Sequence, residues 1–200
     1  MTRHSSFILR RLRRSESGAA ILEFALTAPV FLMLLMGIFD FSWQLYAQQV
    51  LQGAVSQSAR MATLEGYATD QTALDTMVRN KVKQVYPAAT VTFSRNAYQS
   101  FDQVGKPEPL TDKNGNGRWD SGECFEDLNG TGSWEADSSV AGNGGADSVV
   151  LYAARMRFDR ILPLWKMLGQ DQMTTLTATT VLRNQPYTTG SAKREVICDK

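Results

Sequence analysis

The chain has 200 residues, 43% of them apolar, and a formal charge of +1, which suits one modest globular domain with an accessory segment rather than a large multidomain enzyme. Arg3, Arg10, Arg11, Arg13 and Arg14 face only Glu16 within residues 1–18, so the remainder is mildly acidic. It lacks the phosphate-neutralising stripe that nucleic-acid binding needs, and this argues against nucleic acid as a partner.

Residues 1–18 form a basic leader, and residues 19–39, AAILEFALTAPVFLMLLMGIF, carry Glu23 as their one charge. At ~1.5 Å per residue such a run spans ~30 Å, the thickness of one hydrocarbon core, and it reads as a transmembrane helix. A cleavable secretory signal has a shorter apolar region followed by a small-residue cut site, whereas this run leads directly into Asp40. The arginines place the leader in the cytoplasm by the positive-inside bias, so everything beyond Asp40 is expected outside it. Pro29 removes one backbone hydrogen bond, and a kink or local melting is expected near Ala25.

Glu23 costs ~2.5–3.5 kcal/mol if left charged in lipid, so it must snorkel to the nearby interface, find a partner or serve a function. Its neighbours bear on that choice. Gly18-Ala19-Ala20-Ile21-Leu22-Glu23-Phe24 resembles the processing site of type IVb prepilins: a basic leader ending in Gly, four residues, Glu and an aromatic. The resemblance implies cutting after Gly18 by a prepilin peptidase, with Ala19 as the new N-terminus. Its ammonium group can then neutralise Glu23 of an adjacent subunit, giving each charge a partner in lipid. Phe24 stands where Tyr is the more usual aromatic of such pilins.

The stretch GAAILEFALTAPVFLMLLMGIFDF, the small-residue helix ending near Arg60 and the late segment Thr179-Thr180-Val181-Leu182-Arg183-Asn184-Gln185-Pro186-Tyr187 together resemble the TadE-like family of tight-adherence (Flp) pilus assembly. That likeness implies a minor pilin or pseudopilin of the bacterial inner membrane, partnered by other pilus-assembly subunits. The middle of the chain carries no pattern of that family.

Residues 40–95 are expected to hold a helical stalk, a second helix and a first strand. Ala47, Val50, Leu51, Ala54, Ser58, Met61 and Ala62 recur at helical spacing and extend the first helix to about Leu64, with Gly66 as its stop. Ala47, Gly53, Ala54, Ser58, Ala59 and Ala62 make one side thin, suited to the domain's own sheet or to a neighbouring subunit's helix. Asp70 caps a second helix with Leu74, Met77, Val78, Val82 and Val85 on its apolar face, ended by Pro87. Strands are expected at Thr90–Phe93, Val149–Phe158 and Met173–Leu182, with a short helical stretch from Leu164 to Leu168. The fold class is therefore α+β: a long N-terminal membrane helix continuing into a small domain with an antiparallel sheet, pilin-like, with inserted calcium-type loops.

Residues 96–147 read as a long acidic, Gly-rich loop, and residues 148–200 as C-terminal strands and tail. Within the loop, Asp112, Asn114, Asn116, Asp120 and Glu123 occupy steps 1, 3, 5, 9 and 12 of an EF-hand loop, with Gly117 at step 6 and Arg118 offering its carbonyl at step 7. A hard cation needs six or seven oxygens converging at about 2.4 Å, which is why the spacing matters. Asp127, Asn129, Thr131 and Glu135 repeat the pattern, but Ser138 stands where a bidentate carboxylate belongs; Asp137 or Glu126 are the expected helpers. No exit helix fits between the two loops, so stacked loops like those of dockerin or thrombospondin type 3 repeats are the nearer resemblance. Plain Asn-Gly surface turns are the alternative. Calcium is the expected cofactor, and it would order a segment whose acids otherwise repel one another.

Cys124 and Cys198 are too far apart in sequence for a CxxC redox or zinc half-site; an oxidising compartment allows them to pair, and the sequence leaves pairing open. His4, the one histidine, lies in the leader, and no Ser or Cys has a recognisable base partner, so no enzyme activity is expected. The competing expectation is an uncleaved single-pass anchor displaying an adhesion or ligand-binding module.

Overall fold

A computed structural model describes residues 17–62, 71–184 and 194–198. The leader to residue 16, the stop at Gly66, the cap at Asp70 and the Gln185-Pro186-Tyr187 segment lie outside the described residues. Two compact units are present: Met1–Leu45 with Arg160–Gln172, and Tyr46–Asp159 with Met173–Lys200.

Helix α1, Ser17–Ala62, runs unbroken through Pro29. The expected melting near Ala25 does not occur: proline removes one rung of the ladder, and the rungs on either side persist. Thr27 Oγ1 also bonds back to Glu23 O at 3.0 Å, so the turn before the proline has an added tie. In the first unit, α1 is apolar on all sides and exposed through Leu22, Phe24, Leu26, Phe31, Leu34 and Phe39. It is joined there by the connection Arg160–Gln172, which carries the one-turn helix α3, Leu164–Met167.

In the second unit the same helix becomes amphipathic. Ala47, Leu51, Ala54, Val55, Ser58 and Ala59 are buried at helical spacing, so the domain's own core takes the thin stripe, while Gly53 faces outward. Helix α2, Gln71–Lys83, adds Leu74, Val78 and Val82 to the buried set. Its chain turns at Val85 and Tyr86, whose amides both bond Val82 O at 3.0 Å, and Pro87 follows because it cannot continue the ladder.

The main sheet consists of β1 (Thr90–Tyr98), β4 (Val140–Ala141), β5 (Val149–Asp159) and β6 (Met173–Arg183), all antiparallel in the order β4-β1-β5-β6. Strand β1 is longer than the alternation at Thr90–Phe93 suggested, because its second half pairs with β5 out to Tyr98↔Val149. Tyr152, Ala154, Met156 and Phe158 alternate inward from β5 and meet Leu51, Val55, Val78 and Val82. Burying each large aliphatic side chain contributes roughly 1.5–3 kcal/mol. Strand β6 is an edge, and Gln48 and Gln52 of α1 donate to its Thr177 and Thr179 carbonyls at 3.0 and 3.2 Å.

Beside the core, Tyr152 donates to Asp75 Oδ1 at 2.8 Å, and Arg95 forms an ion pair with the same carboxylate while lying 4.6 Å over the Tyr152 ring. Burial, then the Asp75 hydrogen bond and charge, push the Tyr152 phenol far above its ordinary value.

A second antiparallel sheet joins two strands of the segment read from sequence as irregular, β2 (Leu110–Thr111) and β3 (Cys124–Asp127), to β7 (Glu195–Cys198) of the C-terminal tail, in the order β2-β3-β7. Cys124 sits opposite Cys198 in the register, and the two are joined as a disulfide.

Candidate functional site

Two features collect the residues singled out from sequence. The first is the exposed half of α1. Gly18, Ala19, Glu23 and Phe24 all lie on this helix and all are exposed. An apolar surface open on every side has no packing reason to exist in water, and it is the one helix among the described residues long and apolar enough to cross a membrane. Asp40 terminates the apolar run. It is only 6% exposed and accepts from Arg160 Nη1 at 2.6 Å, Gln44 Nε2 at 2.7 Å and Trp165 Nε1 at 3.0 Å. Nothing in the sequence marks Arg160 or Trp165 as its partners, since more than a hundred residues separate them.

The second feature is the acidic segment. In the first loop, Asp112 accepts from the amides of Gly115, Asn116 and Gly117 at 2.6, 3.3 and 2.7 Å. These amide bonds, led by Gly117, hold its carboxyl below the ordinary value. Gly117 has φ +72°, a left-handed turn that explains the glycine at that step. Asn114 and Asn116 each direct an amide nitrogen to Asp120 Oδ2, at 2.8 and 2.6 Å. Glu123 closes the loop: its carboxylate accepts from Lys113 N at 2.8 Å and Asp120 N at 3.0 Å, and its carbonyl accepts from Trp119 Nε1 at 3.2 Å. The side chains of steps 3 and 5 thus meet that of step 9, while the carboxylates of steps 1 and 12 are held by the loop's main-chain amides.

The second loop repeats this geometry with one substitution. Asp127 accepts from Gly130 N at 2.6 Å and Gly132 N at 2.8 Å, and Asn129 donates to Glu135. Thr131 bonds locally to Ser133 O at 3.1 Å. The closing carboxylate is Glu108, from upstream of both loops. It accepts from Leu128 N at 2.8 Å and Glu135 N at 3.1 Å, and its carbonyl accepts from Trp134 Nε1 at 3.0 Å.

Glu108, and not the expected helpers Asp137 or Glu126, makes these two amide bonds. Asp137 bonds the Ser139 amide, and Glu108, 1% exposed, holds the position. Ser138 is buried, its amide donating to Lys106 O at 3.1 Å and its Oγ lacking a hydrogen-bond partner. A signal was available in the sequence: Glu108, Leu110, Asp112, Asn114, Trp119 and Asp120 are each followed fifteen residues later by Glu123, Phe125, Asp127, Asn129, Trp134 and Glu135. The pairing Leu110↔Phe125 sets equivalent residues of the two repeats face to face, so the repeats are related by a local two-fold and each supplies the glutamate that closes the other's loop.

Among the described residues no group of three or more His, Cys, Asp or Glu side chains could by itself hold a metal ion. The side chains that the loops bring together are instead mixed, Asn carboxamides meeting Asp or Glu carboxylates. That set suits a hard cation such as calcium and does not suit zinc or copper.

The fold and these features define a protein class: a single exposed apolar helix continuing into a small α+β domain that bears a paired loop module. Residues 18–60 match the family model of TadE-like protein, in agreement with the likeness read from Gly18 to Arg60. No curated protein and no solved structure matches the chain.

Proposed function

We propose that this chain is a minor pilin or pseudopilin of a tight-adherence pilus assembly system, anchored in the bacterial inner membrane by α1 with its N-terminus cytoplasmic and its domain periplasmic. The observation that carries the reading is the TadE-like match over residues 18–60, which includes the exposed apolar run 19–39 whose single charge is Glu23. Function resides in assembly contacts and not in catalysis. A prepilin peptidase cuts after Gly18, and the Ala19 ammonium of one subunit pairs with Glu23 of the next; within lipid each charge offsets the other's desolvation.

In the same reading the paired loops take calcium. Asp112, Asn114, Asn116, Asp120, Glu123 and the Arg118 carbonyl serve the first loop. Asp127, Asn129, Thr131 and Glu135 serve the second, with Glu108 added from upstream. The unpartnered, buried Ser138 Oγ and the carboxylate and carboxamide groups of the loops support this fit. Bound calcium would offset the repulsion among the acids and stiffen the segment.

The mature N-terminus tests the assignment. With prepilin peptidase present, intact mass should show a chain beginning at Ala19, and Glu23→Ala should abolish complex formation or surface fibres. A chain beginning at Met1, together with intact assembly by the variant, would instead fit a plain anchored ligand-binding module. For calcium, chelator should open the segment 108–138 to protease; an unchanged digestion pattern refutes it.

A further inference from the structure

The connection between β5 and β6 belongs to the same compact unit as the apolar half of α1, and its side chains explain why. Arg160 is tied to Asp40 at 2.6 Å and stacks 4.5 Å over the Trp165 ring, while Trp165 donates to the same carboxylate. Gln172 closes the base, donating to the carbonyls of Arg160 and Leu162 at 2.8 and 2.7 Å. Leu164 reaches further along α1, its Cδ2 3.7 Å from where a Cβ on Gly37 would stand. Gly37 lies within the apolar run, one turn before Asp40. The tip is therefore held at the level of the last apolar turn, with the polar knot of Asp40, Arg160 and Gln44 at its base.

From this tip Ile161, Met167 and Leu168 project at 59%, 66% and 56% exposure. An isolated exposed leucine needs no explanation, but three large apolar side chains on one short connection do. Phe39, Phe41 and Trp43 of α1, on either side of Asp40 in sequence, are exposed as well, and Trp is a side chain enriched at the boundary between hydrocarbon and headgroups. Lys166 lies in the same turn and has the length to keep its charge among headgroups while its stem lies in apolar surroundings.

We infer that the Arg160–Gln172 connection is a second membrane contact: its tip, Ile161 with Met167 and Leu168, enters the lipid interface at the Phe39 end of the span. The occupant is the bilayer itself, argued from the seat of the connection on the apolar run, where Leu164 lies against Gly37. Asp40 is then a docking residue, holding the tip against the helix and excluding water from the ion pair. The inference rests on the membrane reading of α1, and the experiment separates the two.

Full-length protein with the native disulfide left oxidised is labelled with a nitroxide at Met167→Cys, and separately at Phe31→Cys, and reconstituted into phosphatidylcholine and phosphatidylglycerol vesicles. Collision with oxygen, which partitions into lipid, and with a water-soluble nickel chelate is read by power saturation. Both labels are expected to be open to oxygen and several-fold less accessible to nickel than a free nitroxide in buffer, with Met167→Cys shallower than Phe31→Cys. If Phe31→Cys is in lipid but Met167→Cys meets nickel as freely as the buffer standard, the hairpin inference is overturned and the membrane span stands. Shielding of Met167→Cys from both reagents overturns it too, by placing protein over the patch. If Phe31→Cys itself is aqueous, the membrane reading fails and takes the hairpin with it.

Discussion

Glu108 and Glu123 close each other's repeats: each carboxylate takes the amides at steps 2 and 9 of the loop that the other's repeat contributes. The two loops are consequently one module. Glu108→Gln is expected to weaken calcium binding at the second loop and Glu123→Gln at the first, each by roughly ten- to a hundredfold. That range corresponds to losing a charge-assisted contact of about 1.5–3 kcal/mol. Calorimetry should also show each substitution lowering the affinity of the unmutated loop, because both act on the β2–β3 pair. Two independent, unperturbed sites would contradict the reciprocal arrangement.

Acid should loosen the first loop through Asp112. Its folded-state pKa is depressed below the ordinary carboxyl value of 3.8, chiefly by the Gly117 amide. A depressed carboxyl contributes stability in full above its unfolded pKa and loses it as pH falls through the folded value. The Gly117 amide resonance should therefore titrate below pH 3.8, and Asp112→Asn should remove that step while leaving distant amides unmoved.

Reduction should release the C-terminal strand. The disulfide Cys124–Cys198 spans a sequence separation of 74, for which chain-entropy reasoning gives about 4 kcal/mol of stabilisation. Cys198→Ser is expected to lower the melting temperature and expose the residues around Glu195 to protease. A variant melting with the wild type would show that the β3–β7 ladder suffices alone.

Leu51 is fully buried at the centre of the core. Leu51→Ala should cost about 2–5 kcal/mol, read as a lowered melting temperature of the domain. Tyr152→Phe should cost less, about 1–2 kcal/mol, by taking the phenol donor from Asp75 while Arg95 remains paired to it.

The long-period features of this chain are legible in its residues alone. The apolar run, the helical stripe through Leu51 and Val55, and the alternation in β5 and β6 all arise from repeated burial, which writes itself into sequence at period 3.6 or 2. Strands β2, β4 and β7 are two to four residues long, too short for any period to register, and each depends on a partner far away in the chain. The liganding pattern of Asp112 to Glu123 is readable because its spacing is local. Glu108 escapes a search confined to twelve consecutive residues, although the fifteen-residue repeat contains it. Asp40 with Arg160 is of the third kind: a tertiary meeting between an acid and a base that no local rule connects.

The glutamines at 48 and 52 have a consequence for how copies of this protein can associate. An eleven-residue border strand with open carbonyls invites sheet-to-sheet addition and, from there, uncontrolled stacking. Here the molecule's own stem occupies that border at Thr177 and Thr179, discouraging growth by strand addition. The same rod that carries the apolar run thus also guards the domain against the wrong kind of polymer.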